Sequence, residues 1–257
     1  MEIKDKIIVV TGAASGIGRE LVKRFTAEGA KAIMAADINQ EGVEETAKMF
    51  GCSSRRVDVS NEQDIIDLIE QTEETLGPID LFCSNAGVGA GRDLQSPNAE
   101  WEFSWNVNVM SHLYAARHMV PRMVERGGGY LMNTASAAGL LNQIAGAAYG
   151  TTKHAAVGFG EWVALTYAHQ GIKVSMLCPQ AVRTAMTAQG NASTDAAAVD
   201  GMMEPSELAE VVVESLRKES FLILPHPEVL DYMRRKTSDY DRWIGGMNRL
   251  QQRLFGE

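Results

Sequence analysis

Thr11–Gly18 reads TGAASGIG, and the next apolar run, AIMAAD (Ala32–Asp37), ends on an acid. The glycine stretch follows a short apolar run, Lys6–Val10. It opens a segment with apolar residues at helical spacing, Ile17, Leu21, Val22 and Phe25, closed by Gly29. Glycines in a strand-to-helix turn answer a physical need. Gly12 permits a tight turn, while Gly16 and Gly18 let backbone approach a ligand and let the helix pack on a sheet. The first N–H groups of a helix have no partner within it and carry partial positive charge, which suits a pyrophosphate. Gly12, Ser15, Gly16, Ile17 and Gly18 are therefore candidate contacts to a dinucleotide. The alternative is an ordinary turn, against which three glycines in the first such turn weigh heavily.

Asp37 says which dinucleotide. A carboxylate at the end of the second strand can accept hydrogen bonds from both ribose hydroxyls of an adenosine, and it would repel a 2′-phosphate. Ser15 is neutral, and the nearest base, Arg19, stands one step further along the helix. This reads as NAD rather than NADP. Asp37 could equally serve to cap the helix that begins near Asn39.

Working outward, short apolar runs alternate with amphipathic stretches. Gln40–Phe50 and Asn61–Leu76 read as helices, Arg55–Val57 and Ile79–Cys83 as strands. Trp101–Arg126 reads as one long helix before a glycine triplet. Tyr130–Thr134, Ile172–Leu177 and Phe221–Leu224 read as strands, Ala147–Gln170 and Pro205–Lys218 as helices. Such alternation means βαβ units and a doubly wound parallel sheet of the Rossmann type, with helices on both faces. No repeat or linker interrupts it. The expectation is a single α/β dinucleotide-binding domain over residues 1–257, carrying a C-terminal helical extension at about 226–257. Residues 185–203 form the one long irregular segment, a candidate lid.

Composition narrows the function. With 33 acids against 24 basic residues the net charge is −9, which argues against nucleic acid and against an anionic membrane surface. No apolar stretch is long enough to span a bilayer and the start lacks a signal-peptide core. The three cysteines, Cys52, Cys83 and Cys178, are scattered and suggest neither disulfides nor zinc. The five histidines show no metal-ligand spacing, so no metal is expected. A cytoplasmic location is the default expectation. Arg234-Arg235-Lys236 reads as a solvated face.

Tyr149 and Lys153 in YGTTK stand four apart, on one face of a helix. A phenol with an ordinary pKa near 10 is a poor base at neutral pH, and an adjacent ammonium lowers that value. Tyr149 could then exchange a proton with an alcohol or a carbonyl. Ser136 lies thirteen residues before Tyr149, at the end of a strand, where open α/β sheets place their sites. Asn108 sits mid-helix, where its low propensity asks for a reason.

In order along the chain, TGAASGIG, Asp37, Asp58-Val59, Asn85-Ala86-Gly87, Asn108, Ser136, Tyr149…Lys153 and Pro179…Thr184 resemble the short-chain dehydrogenase/reductase family. The glycine spacing is GxxxGxG, and the resemblance reaches to about Leu224. It implies that Asn108, Ser136, Tyr149 and Lys153 are catalytic. The serine would hold the substrate oxygen, Tyr149 and Lys153 would also bind the cofactor, the lysine at the nicotinamide ribose, and the asparagine would kink its helix and organise a proton relay through water. It also implies that Asp58 and Val59 meet the adenine, that Asn85, Ala86 and Gly87 shape the ribose side, and that Val182 and Thr184 meet the nicotinamide amide. Asn106 is a neighbour of Asn108, but Trp101, seven residues before Asn108, fits the family pattern better. One departure stands out: Gln180 follows Pro179 where the family usually has glycine, so a side chain could project into the substrate pocket.

These readings together describe hydride transfer between NAD and a secondary alcohol or ketone. Leu140, Leu141, Ile144, Met186, Met202 and Met203 suggest a moderately bulky hydrophobic substrate. Other reactions on this scaffold, enone or imine reduction or dehydration, are alternatives. An NAD-binding sensor without turnover is another, and it would not need Tyr149 and Lys153. Trp243, Met247, Leu250 and Leu254 make a helical apolar stripe that either docks on its own domain, covers the site or contacts another subunit. The family implies a homo-oligomer, a tetramer or dimer.

Overall fold

The computed structural model describes residues 1–188 and 192–256. Seven parallel strands form one sheet: β1 (Ile7–Thr11), β2 (Ala32–Asp37), β3 (Ser53–Arg56), β4 (Leu81–Ser84), β5 (Gly129–Thr134), β6 (Ile172–Leu177) and β7 (Leu222–Ile223). Their order is β3-β2-β1-β4-β5-β6-β7, so the chain reverses its direction of travel between β1 and β4. That switch point opens a crevice at the carboxyl ends of the strands, where ligands bind such sheets.

Helices cover both faces. They are α1 (Gly16–Ala27), α2 (Gln40–Phe50), α3 (Glu62–Thr75), α4 (Asn98–Trp105), α5 (Ser111–Glu125), α6 (Ala138–Leu141), α7 (Ala147–Tyr167), α8 (Ala192–Ala197), α9 (Pro205–Arg217), α10 (Glu228–Ser238) and α11 (Tyr240–Phe255). Side chains alternate across the sheet. Val9 and Phe82 join one apolar core with Leu68, Met119 and Val157. Ile8, Val10 and Leu81 join the other with Leu21, Phe25 and Val212. This two-sided burial is why β1, all five residues of which are buried, reads as a continuous apolar run.

Three expectations are corrected. The third strand is Ser53–Arg56 rather than Arg55–Val57. It is an edge strand whose polar side chains lie on the rim, and Val57 is buried just beyond the ladder. The single helix expected over Trp101–Arg126 is α4 and α5 joined by a π-helical turn, Asn106–Met110. The irregular segment 185–203 contains α8, and an isolated parallel bridge pairs Val182 with Met203. Residues 189–191 of that segment lie outside the described residues.

The C-terminal residues form two helices. In α10, Val229 is fully buried and packs with Ala137 and Leu141. Lys236 Nζ donates to the carbonyl of Leu140 at 2.7 Å and lies 3.4 Å from His154 Nε2, which pins α10 to α6 and α7. The stripe on α11 is half-buried, and Trp243, Met247 and Leu250 line a cavity.

Candidate active site

The first turn is held from beneath. Thr11 Oγ1 accepts the N–H groups of Asn85 at 2.9 Å and Ala86 at 3.2 Å. Asn85 Nδ2 donates to the Thr11 carbonyl at 3.1 Å, and Thr134 Oγ1 donates to Asn85 Oδ1 at 3.0 Å. The ends of β1, β4 and β5 are thereby locked together. Gly12 has φ +68°, and a Cβ there would sit 2.9 Å from the Ala86 Cα, so both backbone conformation and space require glycine. Gly16 faces Thr184 across the crevice, which brings the first turn against the loop after β6.

Asp37 does two things. Its Oδ2 accepts the Ala14 N–H at 3.0 Å and its Oδ1 the Asn39 N–H at 2.9 Å, which fixes the turn, while the side chain still lines the crevice. The cap of α2 is Asn39, which accepts from Gly42 N at 3.1 Å. Arg19 is drawn away from the acid: its Nη2 donates to the Ala14 carbonyl and to Glu45, both at 2.6 Å. Asp58 stands just past β3, fixed by Ser60 and, through its own N–H, by Asp64 at 2.9 Å.

Tyr149 and Lys153 lie on α7, and Lys153 Nζ is 5.6 Å from the phenol ring centroid. Lys153 is 2% exposed and donates to the Thr134 carbonyl at 3.0 Å. Gly87 makes room for it, since a Cβ there would lie 3.2 Å from the ammonium. Ser136 hydrogen-bonds Tyr149, and its Oγ also accepts the Ala138 N–H at 3.1 Å. Burial raises the phenol above its ordinary value, with the Ser136 hydrogen bond working against it. Burial also lowers Lys153 to about 8. Desolvation therefore outweighs the lowering of the tyrosine that the Tyr–Lys spacing suggests.

Asn108 is fully buried in the π-helical turn. Its Oδ1 accepts from Val88 N and its Nδ2 donates to the Val88 carbonyl, both at 2.9 Å, with a second bond to Thr152 Oγ1 at 3.1 Å. Thr152 in turn donates to the Tyr149 carbonyl at 3.0 Å. Asn108 thus ties the segment after β4 to the tyrosine helix, from behind the cavity wall. Asn106 is exposed. One helical turn on, His112 is 1% exposed, and neither ring nitrogen has a hydrogen-bond partner among the described residues. Burial, with the charge of Lys153 adding to it, lowers its pKa to about 3 and keeps it neutral.

One cavity of about 830 Å³ gathers these residues. Gly12, Ser15, Gly16, Ile17 and Gly18 line one end with Asp37, Asp58 and Val59. Asn85, Ala86, Gly87, Val182 and Thr184 line the middle, beside Ser136, Tyr149 and Lys153. The far end is largely apolar, with Leu141, Ile144, Met186, Trp243, Met247 and Leu250. Leu140, Met202 and Met203 are not on the wall. Gln180 is, but its Nε2 donates to Asp200 Oδ2 at 3.1 Å, and the other Asp200 oxygen accepts from Tyr232 at 2.9 Å.

The basic run is not one solvated face. Arg234 pairs with Asp231 at 3.0 Å, Arg235 lines the cavity and Lys236 is buried. Sequence reasoning passed over Thr11, Thr152 and Tyr232 as well. Thr11 had a local signal, a hydroxyl at a strand end beside the glycine turn. Tyr232 had none. Among the described residues no group of three His, Cys, Asp or Glu side chains is placed to hold a metal ion, and no helix is long and apolar enough to cross a membrane.

The glycine turn, the helix start behind it and the engaged acid at the end of β2 fit a dinucleotide. Residues 6–195 match the family model described as short chain dehydrogenase. The chain is 37% identical to a 3beta-hydroxysteroid dehydrogenase 2 of Eggerthella lenta over 211 residues, covering 77% of this chain and 75% of that protein. It is 31% identical to human epidermal retinol dehydrogenase 2 over 241 residues, 90% of this chain and 77% of the other. A short chain dehydrogenase/reductase from Burkholderia phymatum, solved in complex with NAD, superposes with a TM-score of 0.86 at 28% identity, covering 94% of this chain and 96% of that one. The chain belongs to the short-chain dehydrogenase/reductase family of oxidoreductases.

Proposed function

We propose that the chain transfers a hydride between NAD and a moderately bulky, hydrophobic secondary alcohol or its ketone. The observation that carries this is the convergence of Ser136, Tyr149 and Lys153 on one cavity that Asp37 lines at the other end. Bound NAD would supply the hydride acceptor, held by the glycine turn, by Asp37 at the adenosine ribose and by Val182 and Thr184 at the nicotinamide.

The protein's own part is proton handling and orientation. The Ser136 hydroxyl, already hydrogen-bonded to Tyr149, holds the substrate oxygen beside the phenol. Tyr149 takes the alcohol proton in oxidation and returns one in reduction. Lys153, fixed by the Thr134 carbonyl, stands beside the phenol, where it would meet the nicotinamide ribose. Asn108 keeps the Tyr149 helix in register with the segment after β4. The apolar far wall excludes water and orients the carbon skeleton.

NAD is favoured over NADP because Arg19 is committed to Glu45 while Asp37 faces the crevice. The bulk of the substrate is supported by the hydroxysteroid and retinol dehydrogenases among the relatives. We treat residues 1–257 as one oxidoreductase domain with a C-terminal helical extension. Trp162 and Leu165, 54% and 84% exposed on α7, support a homo-oligomer. Three free cysteines suit the cytoplasm. The test is nicotinamide absorbance with NAD and with NADP against a panel of secondary alcohols. NAD-dependent oxidation supports the reading; turnover with NADP alone sinks the argument from Asp37.

A further inference from the structure

Between Ser136 and Tyr149 the chain makes two turns that its residues resist. Asn142, just past α6, has φ +73° and ψ 176°, and Ala145 has φ +51°. The first is a region that glycine occupies almost alone, and the second brings the alanine Cβ too close to the carbonyl oxygen that follows it. Among the described residues two more non-glycines have positive φ, Asp5 and Glu219, and neither lines the cavity. Asn142 and Ala145 both do. Backbone strain persists at such a place only where the surroundings enforce it.

Here they do enforce it. Asn142 N donates to the Ala138 carbonyl at 3.0 Å, and Asn142 Oδ1 accepts the Gln143 N–H at 2.8 Å. The side-chain amide lies over Gly150 on α7, where a Cβ would collide with Oδ1. Beyond Ala145 the start of α7 is fixed in its turn: Ala147 N and Ala148 N donate to the carbonyls of Arg92 and Gly91 at 3.1 and 2.9 Å. Between the two strained residues stands Ile144. It is buried, 6% exposed, and lies on the cavity wall, while Asn142, Gln143 and Ala145 around it are less buried. Its β-branched side chain has few rotamers, so the backbone decides where it stands.

We propose that Ile144 is a specificity-determining residue for the hydrophobic part of the substrate, and that Asn142 and Ala145 are positioning residues whose left-handed turns set it on the wall. This rests on the dehydrogenase reading for the reacting hydroxyl, but the placement of Ile144 is tested by binding alone.

The test is calorimetric titration of the full chain with a polycyclic secondary alcohol and with cyclohexanol. NADH is present, so that the alcohols bind without being oxidised. The ratio of the two affinities reads the wall and cancels general losses. Asn142→Ala has no amide oxygen and resists this backbone, so it lowers the ratio about tenfold. Asn142→Gly takes the same backbone without strain and restores the ratio to within about twofold. Ile144→Ala lowers the ratio by a similar factor to Asn142→Ala, and the double variant goes no lower, because both act through one side chain. Ala145→Gly keeps the ratio and raises the urea midpoint, the reverse of what alanine to glycine does in unstrained backbone. The proposal is overturned by an unchanged ratio in Asn142→Ala, an equal loss in Asn142→Gly or additive losses in the double variant. A lowered midpoint in Ala145→Gly, or no binding of the polycyclic alcohol, overturns it too. Turnover of the same two alcohols with NAD separates the readings. Binding that follows this pattern without oxidation would break the dehydrogenase reading and leave the Ile144 wall standing. Oxidation of both alcohols with a ratio indifferent to these variants would do the reverse.

Discussion

The two ends of the cavity are built differently. At the dinucleotide end, β1, β4 and β5 are locked by Thr11, Asn85 and Thr134, and Asp37 is fixed by two backbone N–H groups. Its parts come from the first residues after consecutive strands. The substrate end is assembled from the segment after β4, α6, the loop after β6, α10 and α11; Trp243, Met247 and Leu250 there are only half-buried and Met186 is exposed. A rigid cradle shaped by backbone suits a cofactor common to many reactions. A wall of side chains from distant segments suits a substrate peculiar to one.

The largest test of this division removes the group between the two ends. Tyr149→Phe deletes one oxygen and leaves both walls intact. Steady-state kinetics should show kcat reduced by about 10²- to 10⁴-fold, the usual span for losing a general acid–base group. NAD affinity, read by titration, should stay within about twofold. A large loss of NAD binding would mean that the phenol belongs to the cradle rather than to the chemistry.

Asn108→Ala should be the next most damaging. It strands Val88 N and O, partners of a fully buried amide, and takes one donor from the Thr152 hydroxyl, which keeps its own bond to the Tyr149 carbonyl. Unpaired buried polar groups cost about 1–3 kcal/mol each, so urea unfolding should show a loss of about 2–4 kcal/mol with kcat also reduced. An unchanged midpoint would mean that the π-helical turn holds its shape without the amide.

Asp37→Ser tests the cradle by itself. Hydrogen bonds to a charged group are worth about 1.5–3 kcal/mol, so the ratio of kcat/KM for NAD over NADP should fall about 10- to 100-fold. The ratio cancels any general loss of stability from releasing Ala14 N and Asn39 N. An unchanged ratio would show that Asp37 only fixes the turn.

The same division explains what was legible in the sequence. Strands β1, β2, β5 and β6 are buried on both faces, so their apolar runs mark them; β3, at the edge, has no such run, and the sequence pattern starts it two residues late. Tyr149 and Lys153 are one helical turn apart, so their relation is local. The π-helical turn at Asn108 changes the helix pitch without changing its apolar character, and periodicity passes over it. At the substrate end the decisive contacts span 20 residues from Gln180 to Asp200, 32 from Asp200 to Tyr232 and 96 from Leu140 to Lys236. No local pattern encodes them. Lys236, set in a basic run, is buried because a distant carbonyl and a histidine meet its ammonium.

The smallest effect concerns the clasp on Asp200. Gln180 and Tyr232 donate to its two oxygens, joining the loop after β6 to α10 above the substrate wall. These bonds are exposed and individually weak. Gln180 Oε1, by contrast, is buried without a hydrogen-bond partner among the described residues, which works against the folded state. Gln180→Ala removes one bond and one unpaired oxygen, so its effect on unfolding should fall within about 1 kcal/mol of zero. Tyr232→Phe removes a bond alone and should destabilise slightly. If the clasp orders the wall, each variant raises KM for a bulky alcohol about threefold while leaving KM for NAD and kcat alone. The double variant should then be little worse than either single one, because both act through one carboxylate. Fully additive effects would mean that Gln180 and Tyr232 act independently, and that the wall owes its shape to packing at Val229 and Lys236 instead.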